Sequence, residues 1–384
     1  MFLHGIKVNE LTIGARAITG IATQVIGLVV TASHSDGAAE DAKVQAAFPL
    51  DTPVLVTDVR AAIRVAGDSG TLAPSLAAIA DQCNPYLVVV RVAEGADDAA
   101  TEANVLGNAG TRTGIHAFTT AQASTGLRPR ILAVPGLDSA AVVAALAPIA
   151  EQLRAMVYFQ LTAATVADAV TAVDDYGQRE LMPIWPRFEN TFLGDTVARA
   201  VGLRARLDQQ VGWHKTLSNV LVQGVTAIET PVSFDMLGGD TDAKLLNDAG
   251  ITTLIRDEGF RFWGNRTQSS EPLFAFESAT RTAQVIQDEM AEGLKWAIDK
   301  PMTKQLVKDI VATIRRRFDR LIADDRLIGA SVWYDSAQNT EGELANGQLV
   351  LDYDFTPVAP LEGLTLNQRI TDRFYADFAT LVVG

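Results

Sequence analysis

Four stretches carry residue types that chemistry requires. Gly67-Asp68-Ser69-Gly70 spells the surroundings of a serine nucleophile. Such a hydroxyl needs a general base, usually a histidine oriented by a carboxylate. The chain has four histidines, His4, His34, His116 and His214, and none sits in a recognisable general-base motif. The simpler reading is a glycine-flanked loop ahead of a helix at Leu72, with an α/β hydrolase acting through Ser69 as the alternative. Gly107 to Gly114 is glycine-rich but lacks both the Lys-Ser/Thr of a phosphate loop and dinucleotide-binding spacing. Gly239-Asp240-Thr241-Asp242 opens like a calcium loop, yet no twelve-residue ligand pattern ending in Glu follows. Asp240 or Thr241 reads better as a helix cap. Cys83 is the single cysteine, which excludes an intrachain disulfide and a thiolate metal cage. No catalytic residue, cofactor or metal site is assigned.

Composition narrows the classes further. The 384 residues include 32 Lys and Arg against 46 Asp and Glu, a net charge of −14. An apolar fraction of 48% with 20% charged residues fits a globular chain with an ample core. The acidic balance argues against nucleic acid and against an anionic membrane surface as partners. No apolar run reaches the roughly 18–20 residues that span a bilayer, so no membrane insertion is expected. Met1 to Lys7 lacks the basic start and long apolar run of a signal peptide, so cytoplasmic synthesis is expected.

The elements that must position any site follow from periodicity. Residues 25–32, 53–57, 86–92, 130–135, 155–159 and 180–185 are apolar strands, several nearly continuous, as expected where both faces of a sheet are covered. Helices are expected at 72–82 and at 140–154, the latter capped by Ser139. Strands spaced by helices predict an α/β layer with a largely parallel sheet. Beyond about residue 215 the texture changes. Strand-like runs at 220–225 and 231–234 precede a helix at 240–249, a strand at 251–256 and a turn at 257–259. Mostly helical sequence covers 271–300, a long helix covers 302–322, and 348–355 alternates as a half-exposed strand. Both ends add strand-forming segments too short to hold a core. Ile6, Val8, Leu11 and Ile13 lie in the first, and Leu364, Leu366 and Ile370 in the second.

The 302–322 helix breaks the acidic character of the chain. Leu306, Val307, Ile310, Val311, Ile314, Phe318 and Leu321 form one stripe at about 100° per residue, which must face the core. Lys304, Lys308 and Arg315 cluster on a different face, and Arg316 and Arg320 extend it. Residues 301–330 hold seven basic and four acidic side chains, a local excess of +3. Such a face is either solvated and paired with nearby carboxylates or a docking surface for an acidic partner. Single exposed charges contribute only about 0–1 kcal/mol, but a repeated array sums them.

Ile255-Arg256-Asp257-Glu258-Gly259-Phe260-Arg261-Phe262-Trp263-Gly264-Asn265-Arg266-Thr267 resembles the signature of contractile tail sheath proteins of myophages and R-type pyocins. The family pattern is close to Ile-Arg-Asp-Asp-Gly-Tyr-Arg-Leu-Trp-Gly-Asn-Arg-Thr, so Glu258, Phe260 and Phe262 are like-for-like changes. Within it Arg256, Asp257, Gly259, Trp263, Gly264, Asn265 and Arg266 are the signature residues, with a structural role. The resemblance extends to His4-Gly5-Ile6-Lys7-Val8, Arg128 to Gly136, Lys295 to Asp299 and Thr303-Lys304, and is weakest at about 33–50 and 186–218.

The resemblance implies a structural subunit and no enzyme. Such sheaths stack as six-membered rings around a tail tube and contract to drive it through a cell envelope. The implied fold is α/β. A core α+β domain, residues 25–32 and 216–363, is interrupted by an outer α/β domain, 33–215. Terminal arms, 1–24 and 364–384, complete β-sheets in neighbouring copies. The implied partners are further copies, the tail tube, and baseplate and terminator proteins. The implied location is the contractile tail of a virion assembled in the bacterial cytoplasm, with a pyocin-like particle as the alternative. The basic face then becomes the tube contact.

Overall fold

The computed structural model describes residues 18, 20–189 and 195–377. Six strands build the main sheet: β1 (Ile26–Thr31), β2 (Val54–Val56), β3 (Leu87–Val92), β4 (Ile131–Ala133), β5 (Met156–Gln160) and β6 (Leu181–Ile184). Their order is β2-β3-β1-β4-β5-β6. All neighbours run parallel except β2, which lies antiparallel on β3. The central strand β1 pairs Ile26 with Leu87 on one side and with Ile131 on the other.

Every residue of β1 and β3 is buried, because helices cover both faces. Ile26, Leu28 and Val30 enter one apolar cluster with the Leu72–Ala80 and Thr196–Gln210 helices. Val29 enters the other, with the Ala140–Leu153 helix. Gly27 faces that second side, where an added Cβ would stand 2.8–2.9 Å from Leu132, Phe118 and Pro129. Ser139 caps the Ala140–Leu153 helix, as its position before the apolar run predicts.

Residues 25–32, expected to group with 216–363, instead place β1 at the middle of the sheet formed by 54–184. Its continuous apolar run needs cover on both faces, and only the interior of that sheet provides it. The 196–210 helix was not anticipated. Two of its three arginines, Arg199 and Arg204, are fully buried, and Gly202 lets it approach the 72–80 helix.

The remainder continues from the sheet edge. Phe188–Glu189 (β7) pairs with Ala227–Ile228 (β8). Thr253–Arg256 (β9) and Phe260–Trp263 (β10) form a hairpin docked on β6 through Trp185 N–H to the Thr252 carbonyl and Thr252 N–H to the Pro183 carbonyl. Residues 220–225, expected as a strand, make isolated contacts with this hairpin: Val222 N–H donates to the Phe260 carbonyl, and Leu221 bridges Arg261. Residues 231–234, also expected as a strand, carry no regular structure. The Glu277–Gly293 and Lys304–Ala323 helices then pack with the antiparallel pair Leu327–Trp333 (β11) and Asp352–Pro357 (β12) around a third cluster. Ile310, Ile314, Phe318 and Leu321 of the expected stripe are buried there, whereas Leu306, Val307 and Val311 are half-buried. The β12 ladder starts at Asp352, so 348–351 of the expected strand lie outside it.

Buried charge ties this third cluster to the sheet. Arg204 donates to Asp208 at 2.8 Å and to Glu277 at 3.3 Å. Arg281 also meets Asp208, and Tyr158 on β5 donates to Glu277. Burial and the adjacent Glu277 push the Tyr158 phenol well above its ordinary range. Burial works against the Arg281 charge, but Asp208, Tyr158 and Glu277 outweigh it and raise its pKa. Two turns further along the helix, Asp288 receives Arg154 at 2.5 Å, Arg128 at 3.3 Å and Arg130. Pairing of this kind is what makes buried ions tolerable.

Candidate assembly surfaces

The signature hairpin turns at Glu258 and Gly259, with φ of 47° and 119°. A Cβ at Gly259 would lie 2.6 Å from Leu221, and one at Gly264 would lie 2.8 Å from the Thr252 backbone. Both glycines therefore serve close approach. Arg256 lies over the Phe260 ring at 5.7 Å, and Trp263 meets Phe234 edge-on at 4.9 Å. The Asp257 carbonyl accepts from the Arg261 guanidinium at 3.0 Å. Asn265 is buried, and its carbonyl accepts from Glu277 N–H at 2.9 Å, which aligns the start of the 277–293 helix. Arg266 stacks on Phe276 at 5.0 Å and donates to Glu362 twice, at 2.8 and 2.6 Å.

Beyond Glu362 the chain leaves the globule. Leu364, Leu366 and Ile370 are 70%, 81% and 97% exposed, and residues 363–372 carry no regular structure. Phe374 and Tyr375 are exposed as well. The candidates Ile6, Val8, Leu11 and Ile13 lie outside the described residues. Ile18 is buried in the third cluster, and its side chain approaches Gly293.

The basic helix divides. Lys304, Lys308 and Arg315 line an open groove of about 890 Å³ whose lining includes Val307, Val311, Ala312 and Leu344. Cationic groups thus border an apolar floor. Arg316 and Arg320 are exposed outside that groove, with Arg320 at 3.9 Å from Asp324. Arg317, between them and Phe318, turns inward to Glu289.

The remaining candidates of the sequence serve local structure. Ser69 exchanges main-chain hydrogen bonds with Ser33, and Gly67 and Gly70, with φ of 78° and 88°, sit against the Ser33 and Thr31 carbonyls. Asp68 accepts from the Ser35 amide and hydroxyl. Thr241 caps the Asp242–Asp248 helix. Burial pushes the Cys83 thiol up to about 12, and its Sγ donates to the Gly202 carbonyl. Burial of this kind disfavours the thiolate. The Arg266–Glu362 pair was not foreseen, since 96 residues separate its members. Arg204 and Asp208 stand at i,i+4 spacing, the one legible sign of the buried network.

These features define an assembly protein: a two-faced α/β layer, a helical platform with a basic groove, and an apolar C-terminal segment uncovered by its own globule. Three family models cover most of the chain. They describe a tail sheath protein Gp18 domain III N-terminal region at 25–92, a phage tail sheath protein central domain at 110–268 and a phage tail sheath C-terminal domain at 269–371. The tail sheath protein of Escherichia phage P2 is 46% identical, covering 99% of this chain and 98% of that one. The major tail sheath protein of Serratia phage KSP20 is 42% identical with the same coverage. Among solved structures, the contracted sheath of the PVC extracellular contractile injection system superposes with a TM-score of 0.71 at 16% identity, over 97% of this chain and 99% of that one. The contracted helical sheath of the anti-feeding prophage gives 0.71 at 18% identity, with the same coverage. The chain belongs to the phage tail sheath family and is a structural subunit of a contractile tail sheath.

Proposed function

We propose that this subunit polymerises as stacked six-membered rings around a tail tube, lends its ends to adjacent copies, and contracts to drive the tube through a target envelope. It performs no bond chemistry in doing so. The observation that carries this reading is the C-terminal segment: Leu364, Leu366 and Ile370 are bare in the single chain. Exposed apolar side chains in a row mark a surface awaiting a partner. A segment that adds as a strand gains main-chain hydrogen bonds of roughly 0.5–1.5 kcal/mol each, with alternate side chains setting register. Donation from copy to copy is a head-to-tail contact, which propagates as a helix. The groove edged by Lys304, Lys308 and Arg315 supplies a second contact, to an acidic tube. Screened charges suit a contact that must release when the sheath contracts. The contracted form is then the lower in free energy and the extended form is kinetically held.

Electron microscopy of two truncations tests this. Chains lacking 1–17, which keeps the buried Ile18, or 364–384 are expected to stay folded and monomeric and to form no tubes. Ordinary polymers from both would refute the arm role. Capsid and terminase genes beside this one would mark a phage, and their absence a pyocin-like particle.

A further inference from the structure

We infer that Arg266 and Glu362 form a root clamp that fixes where the C-terminal segment leaves the globule, and so which neighbouring copy it can reach. The inference rests on the proposed arm role and adds the residues that aim the arm. Both ends of the guanidinium fork are used: Nε to Oε1 at 2.8 Å and Nη2 to Oε2 at 2.6 Å. Two parallel bonds fix orientation as well as distance. Stacking on Phe276 holds the guanidinium plane from the side, and the Arg266–Phe276 bridge holds its backbone. Arg266 is therefore set by the hairpin and the start of the 277–293 helix before Glu362 arrives.

The position along the chain gives the clamp its meaning. Val358 to Glu362 run along a cleft beside Trp263 and Asn265. Gly363 comes next, and a Cβ there would meet nothing within 4 Å. The side chains of 364–375 are all exposed. Leu361 is already 80% exposed, so the Arg266 pair at Glu362 holds the chain where it emerges from the cleft. The two partners are about 40% exposed, 40% for Arg266 and 41% for Glu362. An ion pair so open contributes little to folding stability. Its strict geometry is better explained by direction than by stability. The same logic gives Arg266 of the signature a task that Arg256, which lies over Phe260 within the hairpin, does not share.

The experiment compares Glu362→Arg, Arg266→Glu and the double exchange in the full-length chain, with tube formation scored by electron microscopy and light scattering, and folding by thermal melting. Glu362→Arg is expected to melt as the wild type does and to need at least about fivefold more protein to form tubes. The double exchange is expected to return that concentration to within about twofold. Wild-type assembly by Glu362→Arg overturns the clamp, as does a double exchange that melts normally and stays impaired. Should Arg266→Glu fail to fold, Glu362→Gln takes its place as the second single variant, with impaired assembly and normal melting expected and unimpaired assembly counting against the clamp. The chain lacking 364–384 separates the two levels. If it assembles normally, the arm role itself fails; if it does not assemble while Glu362→Arg does, only the clamp fails.

Discussion

Arg317 meets both carboxylate oxygens of Glu289 beneath the basic helix, its Nε donating at 2.8 Å. Glu289 is fully buried and the Arg317 side chain is 7% exposed. The helix therefore carries two kinds of cation: Arg317 inward and paired, Lys304, Lys308 and Arg315 outward.

That division predicts unequal costs. Glu289→Ala strands a buried guanidinium and is expected to lose about 3–5 kcal/mol. Replacing Glu289 and Arg317 together by Met is expected to cost less than either single change, because no charge is left unpaired. Arg315→Ala is expected to stay within about 0.5 kcal/mol of the wild type. Urea unfolding of the three variants decides; a double replacement costing at least as much as Glu289→Ala would show that the pair is not coupled.

Gly27 gives a packing prediction. An added methyl would meet Leu132, Phe118 and Pro129 at 2.8–2.9 Å on the central strand. Neither the neighbouring strand nor the proline ring can yield freely, so Gly27→Ala is expected to cost about 1–3 kcal/mol by overpacking. A wild-type melting profile would mean that the sheet relaxes there.

Asp138 links stability to pH. Burial pushes its carboxyl up to about 7, and the neighbouring Asp195 adds to the rise. The unfolded chain titrates near about 3.9. Between these values the folded protein binds the extra proton, so stability falls as pH rises, by up to about 1.4 kcal/mol per unit. The contribution is intact below about pH 4 and lost above about 7. Asp138→Asn keeps an acceptor for the Gln160 amide and removes the charge. It is expected to match the wild type at pH 4.5 and to exceed it by about 2–4 kcal/mol at pH 8. A constant difference across that range, in melts at matched ionic strength, would place the Asp138 proton elsewhere.

The α/β layer was legible because its strands are long apolar runs, and a run such as 86–92 has one stable home. The Ser139 cap was legible for a similar reason, since a cap is a local rule, and the same rule narrowed the second cap to Asp240 or Thr241. What escaped depended on distance. The register of β1 among β3 and β4 is a choice among partners that its own six residues do not encode. The 196–210 helix was hidden by Arg199 and Arg204, which count as polar until Asp81, Asp208 and Glu277 are brought to them. β11 was missed because Gly329, Ala330 and Ser331 dilute its pattern. The outward face of the basic helix could be read from a wheel, but the apolar floor beside it needed Leu344 from a later helix.

That floor changes what the basic face is expected to bind. A purely electrostatic grip would vanish with salt, since exposed charges are screened beyond about 8–10 Å at physiological ionic strength. A partner that also inserts an apolar side chain between Lys308 and Leu344 would hold on after screening. Two variants separate the contributions. Reversing Lys304, Lys308 and Arg315 to Glu is expected to leave folding and self-assembled tubes intact and to abolish extended sheath on the tail tube. Ala312→Trp fills the groove without touching charge, and is expected to weaken extended sheath most visibly at high salt, where the apolar contact carries the load. Extended tails formed by the triple reversal at ordinary salt would remove the tube from this face. Loss of self-assembled tubes in Ala312→Trp would instead give the groove to another copy of the subunit, because only a contact between copies is needed to build those tubes.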